Sequence, residues 1–230
     1  MILLFDYFET IIHTKSIDFN RGLAGFWEKY YKDKCSFEEI KKFGEEQFEI
    51  LLDHHARGLE YSFIKDELPE YAVRFGGETV SMTPEEEADF LMKCNDMEVY
   101  PGMEETLKKL SEKDVPMYVL SNSGFSGEAL LIVLDRLNIG HYFKRLWSSA
   151  DFGRIKPCKE YFDQAINAAL NDCRQYNKND IAFVGDLYET DVVGAFNAGI
   201  DIIWFNHENN QGDDAVKTIH NADELLKYVD

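Results

Sequence analysis

The sequence has few basic residues for its length. Its 230 residues include 24 lysines and arginines against 43 aspartates and glutamates, which gives a formal net charge of -19. Because nucleic acids and anionic membranes are bound through basic surfaces, this balance argues against both as partners. A small-molecule substrate or a metal ion is the more suitable partner for so acidic a chain.

Cysteine pairs and long apolar runs are also missing. The four cysteines, Cys35, Cys94, Cys158 and Cys173, form no CxxC pair, so their spacing suggests neither a zinc knuckle nor a disulfide framework. No apolar run approaches the roughly 18 residues of a membrane-spanning helix, and no basic residues precede the apolar start at Ile2–Phe5. We therefore expect a cytoplasmic protein with reduced thiols and no membrane association.

Short apolar runs alternate with helical patterns over about half of the chain. Ile2–Phe5 is the first run, and others cover residues 117–120, 181–184 and 202–205, with a weaker one at 145–148. Continuous apolar runs of this length are typical of strands buried on both faces of a parallel sheet. Helical patterns lie between them, over residues 104–113, 129–137 and 159–170. The alternation predicts an α/β core with a doubly wound, Rossmann-like parallel sheet.

The segment of residues 15–96 has helical periodicities and no convincing strand. Ser36 and Glu39 form a capping-box pattern, and Thr83 and Glu86 form a second one. These patterns predict an all-helical insertion between the first and second strands of the sheet. We therefore divide the chain into a core, residues 1–14 and 97–230, and a helical cap, residues 15–96.

Polar residues follow the predicted core strands. Asp6 follows the first strand, Ser121 and Asn122 follow the second, and Asp186 follows a later one. Ligands of open parallel sheets bind beyond the carboxyl ends of the strands. One aspartate at such a position is more often a turn former, but several in this order favour a ligand site.

Four segments of the chain resemble the four motifs of the haloacid dehalogenase-like hydrolases. Residues 5–10 (FDYFET) are similar to the first motif, residues 120–122 (LSN) to the second, residues 154–157 (RIKP) to the third and residues 184–191 (VGDLYETD) to the fourth. The resemblance extends over nearly the whole chain. It implies a hydrolase with a helical cap inserted after the first motif.

The resemblance also implies a role for individual residues. Asp6 is expected to be the nucleophile, with Lys156 neutralising charge beside it and orienting it. Ser121 and the backbone around Asn122 are expected to donate hydrogen bonds to the transferred group, although Asn122 is equally suited to a plain turn.

Mg²⁺ is the expected cofactor, because a carboxylate that attacks an anionic phosphate needs a cation to offset the repulsion. Asp6 and Asp186 are the expected direct ligands, and the resemblance adds the backbone carbonyl of Phe8. Asp191 is expected in the same site, where it would hold a metal-bound water or the loop itself.

Phe8 departs from the first motif of most phosphatases in this superfamily. They have a second aspartate at this position, which protonates the leaving oxygen and then activates water, a contribution of roughly 10²–10⁴-fold. A phenyl ring cannot transfer a proton. Glu9 is a weak candidate to replace that acid, because consecutive side chains that leave a strand diverge. His13, just past the motif, could contact the substrate or be a solvated linker residue.

Three functions are left open by this departure. The first is a magnesium-dependent phosphatase that acts on a small phosphorylated metabolite through an aspartyl-phosphate intermediate. The second is a 2-haloacid dehalogenase, since those enzymes have an aromatic residue at the position of Phe8 and need no acid. The acidic fourth motif favours the phosphatase, because carboxylates converging on Asp6 without a cation would raise its pKa and weaken it as a nucleophile. The third is a catalytically weak member that serves as a binding or regulatory protein.

Overall fold

The computed structural model describes residues 1–213 and 215–229; residues 214 and 230, which belong to the predicted core, lie outside the described part. The strands are β1 (Ile2–Phe5), β2 (Ile12–Ile17), β3 (Asn95–Val99), β4 (Met117–Ser121), β5 (Phe143–Ser148), β6 (Ile181–Gly185), β7 (Asp201–Phe205) and β8 (Lys217–Ile219). The α-helices are α1 (Phe19–Tyr30), α2 (Phe37–Ala56), α3 (Leu68–Phe75), α4 (Pro84–Cys94), α5 (Met103–Glu112), α6 (Gly127–Arg136), α7 (Ser149–Phe152), α8 (Lys159–Asp172) and α9 (Val193–Ala198). A 3-10 helix at Ala222–Tyr228 follows β8.

Six parallel strands form the central sheet, in the order β5-β4-β1-β6-β7-β8. Strand β1 lies inside the sheet, and the later strands are added outward from it in both directions. This makes β1 the switch point of the topology, where open α/β sheets bind their ligands. The predicted α/β class with a doubly wound parallel sheet is confirmed.

Alternate residues of β1 face opposite sides of the sheet. Leu3 and Phe5 pack with α5 and α6 on one face, whereas Ile2 and Leu4 pack with α8 and α9 on the other. All four side chains are fully buried, and each contributes about 1.5–3 kcal/mol to folding by leaving water. Burial on both faces explains why the run is continuously apolar and not alternating.

An antiparallel ribbon of β2 and β3 corrects the expectation that the insertion contains no strand. Ile12 pairs with Val99 at one end of the ribbon, and Ile17 pairs with Asn95 at the other. The pairing partners lie at opposite ends of the insertion, so the pairing leaves no local signal in the sequence. The second half of β2 is also exposed, so this strand has no continuous apolar run. The boundaries of the predicted core and cap fall inside this ribbon, and the division itself remains a prediction.

Helices α1 to α4 surround a second, aromatic-rich cluster of buried residues. Phe26 of α1 packs against the rings of Tyr71 from α3 and Phe90 from α4. The predicted capping boxes at Ser36 and Thr83 are both formed and begin α2 and α4. None of the helices in the described part of the chain combines the length and the apolar character that crossing a bilayer needs.

Two buried glutamates join these helices to the loops that follow β4 and β5. Glu87 of α4 accepts hydrogen bonds from the backbone N–H and the hydroxyl of Ser126, at 2.7 and 2.5 Å. Glu60, between α2 and α3, accepts a hydrogen bond from the Ser149 hydroxyl, and its own N–H donates to the Gly153 carbonyl at 3.1 Å. The helical layer therefore lies against the carboxyl ends of the sheet strands.

Gly22 and Gly25 of α1 provide a matched test of how closely α1 and α4 pack. A Cβ atom on Gly22 would lie 2.2 Å from the Cys94 sulfur and 3.2 Å from the Phe90 ring, whereas one on Gly25 would lie 3.5 Å from the flexible end of Lys93. We expect Gly22→Ala to lower the free energy of unfolding by about 1–3 kcal/mol, the usual cost of overpacking. Gly25→Ala should be neutral or stabilising by up to about 1 kcal/mol, because alanine favours a helix over glycine. Urea unfolding measures both values, and equal stabilities would contradict this close packing.

Candidate active site

The carboxyl ends of the adjacent strands β4, β1 and β6 bring three polar residues together. Ser121 ends β4, Asp6 follows β1 and Asp186 follows β6. The Asp6 N–H continues the parallel ladder by donating to the Val184 carbonyl at 2.8 Å. Strand pairing therefore places Asp6 beside the start of the loop that contains Asp186.

Lys156, between α7 and α8, reaches the same point. Its ammonium group lies 2.5 Å from the Asp6 carboxylate and 2.7 Å from the Asp191 carboxylate. The exposed fractions are only 2% for Lys156, 7% for Asp6 and 0% for Asp191. Burial acts to lower the pKa of Lys156, but the carboxylates of Asp191 and Asp6 outweigh this effect and raise it. The lysine is therefore held in its charged form.

Asp6, Asp186 and Asp191 contribute carboxylate oxygens that all lie within 4.8 Å of one another. Burial, followed by repulsion from Asp6 and Asp191, raises the pKa of Asp186 to about 8. Burial raises the pKa of Asp6 to about 6; Lys156 opposes this rise and Asp191 adds to it. One ammonium group does not balance three carboxylates in a place with so little water, so the cluster has the charge and the oxygen atoms to hold a divalent cation.

Asp191 also holds the loop that follows β6. One of its oxygens accepts a hydrogen bond from the Leu187 N–H at 3.0 Å, and the other faces Lys156. A Cβ atom on Gly185 would lie 2.5 Å from the Asp191 carboxylate, so a glycine is needed for this close approach. Both Asp191 oxygens are thus engaged by protein groups.

Asn122 is bonded to the backbone of Lys156. Its side-chain oxygen accepts a hydrogen bond from the Lys156 N–H at 2.7 Å, and its side-chain nitrogen donates to the Lys156 carbonyl at 3.3 Å. The side chain therefore positions the lysine, a role that the sequence did not predict. Contact between a substrate and the backbone around Asn122 stays a prediction, as does substrate contact by Ser121, whose side chain is buried beside it.

Two further side chains support the site without having been assigned a role from the sequence. Thr10 is buried, and its hydroxyl donates to the Asp186 carboxylate at 3.2 Å. The Tyr161 hydroxyl, from α8, donates to the Ser121 carbonyl at 2.8 Å. The place of Thr10 inside the first motif was a usable signal, but no pattern points to Tyr161.

The Phe8 side chain takes no part in the polar cluster. Its ring packs edge-on against the Tyr7 ring, with 4.7 Å between centroids, and against the apolar core. The Glu9 carboxylate accepts hydrogen bonds from the Thr14 N–H at 2.8 Å and from His13 Nδ1 at 2.9 Å, and these bonds speak against Glu9 as a replacement for the absent acid. Metal binding by the Phe8 carbonyl stays a prediction.

The sequence also matches known proteins. The family model described as haloacid dehalogenase-like hydrolase matches residues 3–205. Over 99 residues the chain is 32% identical to the pyrimidine 5'-nucleotidase YjjG of Escherichia coli (strain K12), an alignment that covers 40% of this chain and 42% of that protein. The match therefore spans less than half of the length of this relative.

Solved structures share the fold over almost the full chain. A 2-haloacid dehalogenase from Pseudomonas syringae pv. Tomato DC3000 superposes with a TM-score of 0.69 at 21% identity, covering 99% of this chain and 97% of that one. A HAD phosphatase from Thermococcus onnurineus superposes with a TM-score of 0.64 at 20% identity, with the same coverage of 99% and 97%. Identities this low show a common fold and do not separate the two activities. Because the family model matches most of its length, the chain belongs to the haloacid dehalogenase-like hydrolases.

Proposed function

We propose that the protein is a magnesium-dependent phosphatase that acts on a small phosphorylated metabolite through an aspartyl-phosphate intermediate on Asp6. The observation that carries this proposal is the cluster of Asp6, Asp186 and Asp191, in which the ammonium group of Lys156 pairs with Asp6 and Asp191. Clustered carboxylates are costly to bury unless a cation offsets them. A phosphate substrate adds further negative charge, so its binding calls for the same cation.

Mg²⁺ suits the donor atoms of this cluster. All three members are carboxylates, which are the hard oxygen ligands that Mg²⁺ prefers, whereas zinc sites typically include histidine or cysteine. We propose Asp6 and Asp186 as direct ligands, with the Phe8 carbonyl as a third, because both oxygens of Asp191 already meet protein groups. When bound, the ion would offset the charge of the phosphate and of the nucleophile.

The protein residues have separate parts in the proposed reaction. An Asp6 oxygen forms a bond to phosphorus while the bond to the leaving oxygen breaks. Lys156 opposes the effect of burial on the pKa of Asp6, which keeps the nucleophile ionised, and it stabilises charge on the phosphoryl group. Ser121 and backbone N–H groups around Asn122 donate to the phosphoryl oxygens. Water then attacks phosphorus, which releases phosphate and restores Asp6.

Dehalogenation of a 2-haloacid is the second candidate, and Phe8 is the observation that favours it. Displacement of halide from carbon needs no proton donor, so an aromatic side chain is compatible with it. The carboxylate cluster opposes this candidate, because burial and Asp191 raise the pKa of Asp6 where no divalent cation offsets them. A binding or regulatory role is the third candidate. The ion pairs of Lys156 favour an enzyme over this role.

We further propose that the protein acts in the cytoplasm on a small molecule. Cys35, Cys94, Cys158 and Cys173 are all free thiols, which is usual in a reducing compartment. The net charge of -19 supports neither a nucleic acid nor an anionic membrane as a partner.

A turnover panel of phosphate monoesters and 2-haloacids, with and without Mg²⁺, tests the nucleophile. We expect phosphate release that requires Mg²⁺ and that Asp6→Asn lowers by roughly 10³-fold or more, because an amide oxygen is a poor nucleophile. Asp53→Asn, at an exposed aspartate of α2, is the control and should keep full activity. Halide release without metal would establish the dehalogenase, and no turnover on either set would favour the binding role.

Thermal unfolding tests the metal site without turnover. Mg²⁺ at a hundred times its Kd should stabilise the protein by about 2.7 kcal/mol, and Asp186→Asn should remove most of this effect. The same variant should be more stable than wild type in the absence of metal, because it removes a carboxylate that its neighbours repel. Glu189→Gln, an exposed acid on the same loop, should behave as wild type. A melting temperature of the wild type that does not respond to Mg²⁺ would refute the site.

Asn122→Ala tests how the lysine is positioned. Loss of both bonds to the Lys156 backbone should lower kcat by about 10–10²-fold with the fold retained, since small displacements of catalytic groups are costly. Asn167→Ala, at an exposed position of α8, is the control. An unchanged kcat for Asn122→Ala, measured on the substrate identified by the panel, would show that these bonds are not needed.

A further inference from the structure

Phosphoryl transfer to Asp6 leaves one requirement that the residues described so far do not meet. An alkoxide leaving group needs a proton as its bond to phosphorus breaks. The ring of Phe8 cannot donate one, and the Glu9 carboxylate is engaged by Thr14 and His13. A group other than these two must therefore supply the proton.

Glu9 and His13 form a carboxylate–imidazole pair directly after the first motif. His13 Nδ1 donates to the Glu9 carboxylate at 2.9 Å, and the two side chains are 38% and 33% exposed. With Nδ1 engaged in this way, Nε2 is the ring nitrogen that can exchange a proton with a ligand. Enzymes orient catalytic histidines through such a carboxylate partner.

The backbone of Glu9 has a conformation that favours glycine. Its φ is 54°, in the left-handed region that residues with a Cβ atom seldom adopt. Three bonds hold it there: its N–H donates to the Ile12 carbonyl at 2.6 Å, and its carboxylate binds Thr14 and His13. Backbone strain that is held by several bonds is often found at functional positions. Here the strained residue is the one that orients the imidazole.

The turn that contains Glu9 also contacts the carboxylate cluster. Thr10, in the same turn, donates to Asp186, and the His13 ring meets the Tyr100 ring edge-on with 5.8 Å between centroids. Burial raises the pKa of Tyr100, and the carboxylates of Glu9 and Asp186 add to this rise.

The surroundings of His13 on the ribbon are also charged. Glu98 lies opposite His13 across the ribbon and forms an ion pair with Lys15 at 2.5 Å. Glu9, Tyr100 and Glu98 are thus titratable groups that neighbour His13.

We propose that His13, oriented by Glu9, takes the place of the acid that is missing at Phe8. As an Asp6 oxygen bonds to phosphorus, the electron pair of the breaking P–O bond goes to the leaving oxygen, which receives the proton from His13 Nε2 and departs as an alcohol. Neutral His13 then accepts a proton from the water that attacks the phosphorus of the aspartyl phosphate. This assignment rests on the proposed phosphatase function.

Two esters of similar shape test the assignment. Nitrophenolate leaves 4-nitrophenyl phosphate without a proton, whereas the benzyl alkoxide of benzyl phosphate requires one. We compare kcat/KM, which reports steps up to release of the leaving group and is insensitive to the later hydrolysis. His13→Gln should lower this value by about 10²-fold or more for benzyl phosphate and by less than about threefold for 4-nitrophenyl phosphate.

Three further variants separate chemistry from structure. Glu9→Gln should lower kcat/KM for benzyl phosphate by a smaller factor than His13→Gln. Phe8→Asp, added to the His13→Gln variant, should restore kcat/KM for benzyl phosphate. His207→Gln, whose ring also contacts Tyr100, is the control and should affect neither ester.

The outcomes distinguish the two proposals. If His13→Gln lowers kcat/KM equally for both esters, or for neither, the role of His13 is refuted while the phosphatase function stands. If the wild type hydrolyses neither ester and no other phosphate monoester, the phosphatase function fails and the role of His13 fails with it. Circular dichroism establishes whether each variant is folded. If His13→Gln is not folded, Glu9→Gln decides the question.

Discussion

The buried ammonium group of Lys156, held between the carboxylates of Asp6 and Asp191, is the interaction on which the rest of the site depends. Removing either partner of a buried ion pair leaves a poorly compensated charge, which typically costs about 3–5 kcal/mol. The lysine and the two aspartates therefore specify one another's positions. The pairing also keeps Asp6 ionised where burial alone would favour its protonated form.

The loops at three strand ends are arranged to hold this pair. Asn122 links the end of β4 to the backbone of Lys156, and Gly185 at the end of β6 leaves room for the Asp191 carboxylate. Asp6 follows β1, between these two strands. The site thus forms only when β4, β1 and β6 lie side by side, and the same parallel pairing that buries β1 assembles the chemistry.

The helical layer contributes by covering this edge of the sheet. Glu87 and Glu60 bond to Ser126 and Ser149, which follow the carboxyl ends of β4 and β5. Reduced access of water strengthens every electrostatic interaction beneath the layer. Burial is also the largest cause of the raised pKa of Asp186.

The sequence by itself determined the core strands, because a continuous apolar run such as Ile2–Phe5 has few stable places other than a sheet buried on both faces. It also determined the starts of α2 and α4, since a capping box depends on residues only three positions apart. The order of its motifs predicted a site from charged residues that the structure brings together. Only the tertiary structure decided the β2–β3 ribbon, the bonds between Asn122 and Lys156, and the left-handed turn at Glu9. The ribbon and the Asn122 bonds depend on partners distant in the chain, and a glutamate carries no local signal for a backbone conformation that it seldom adopts.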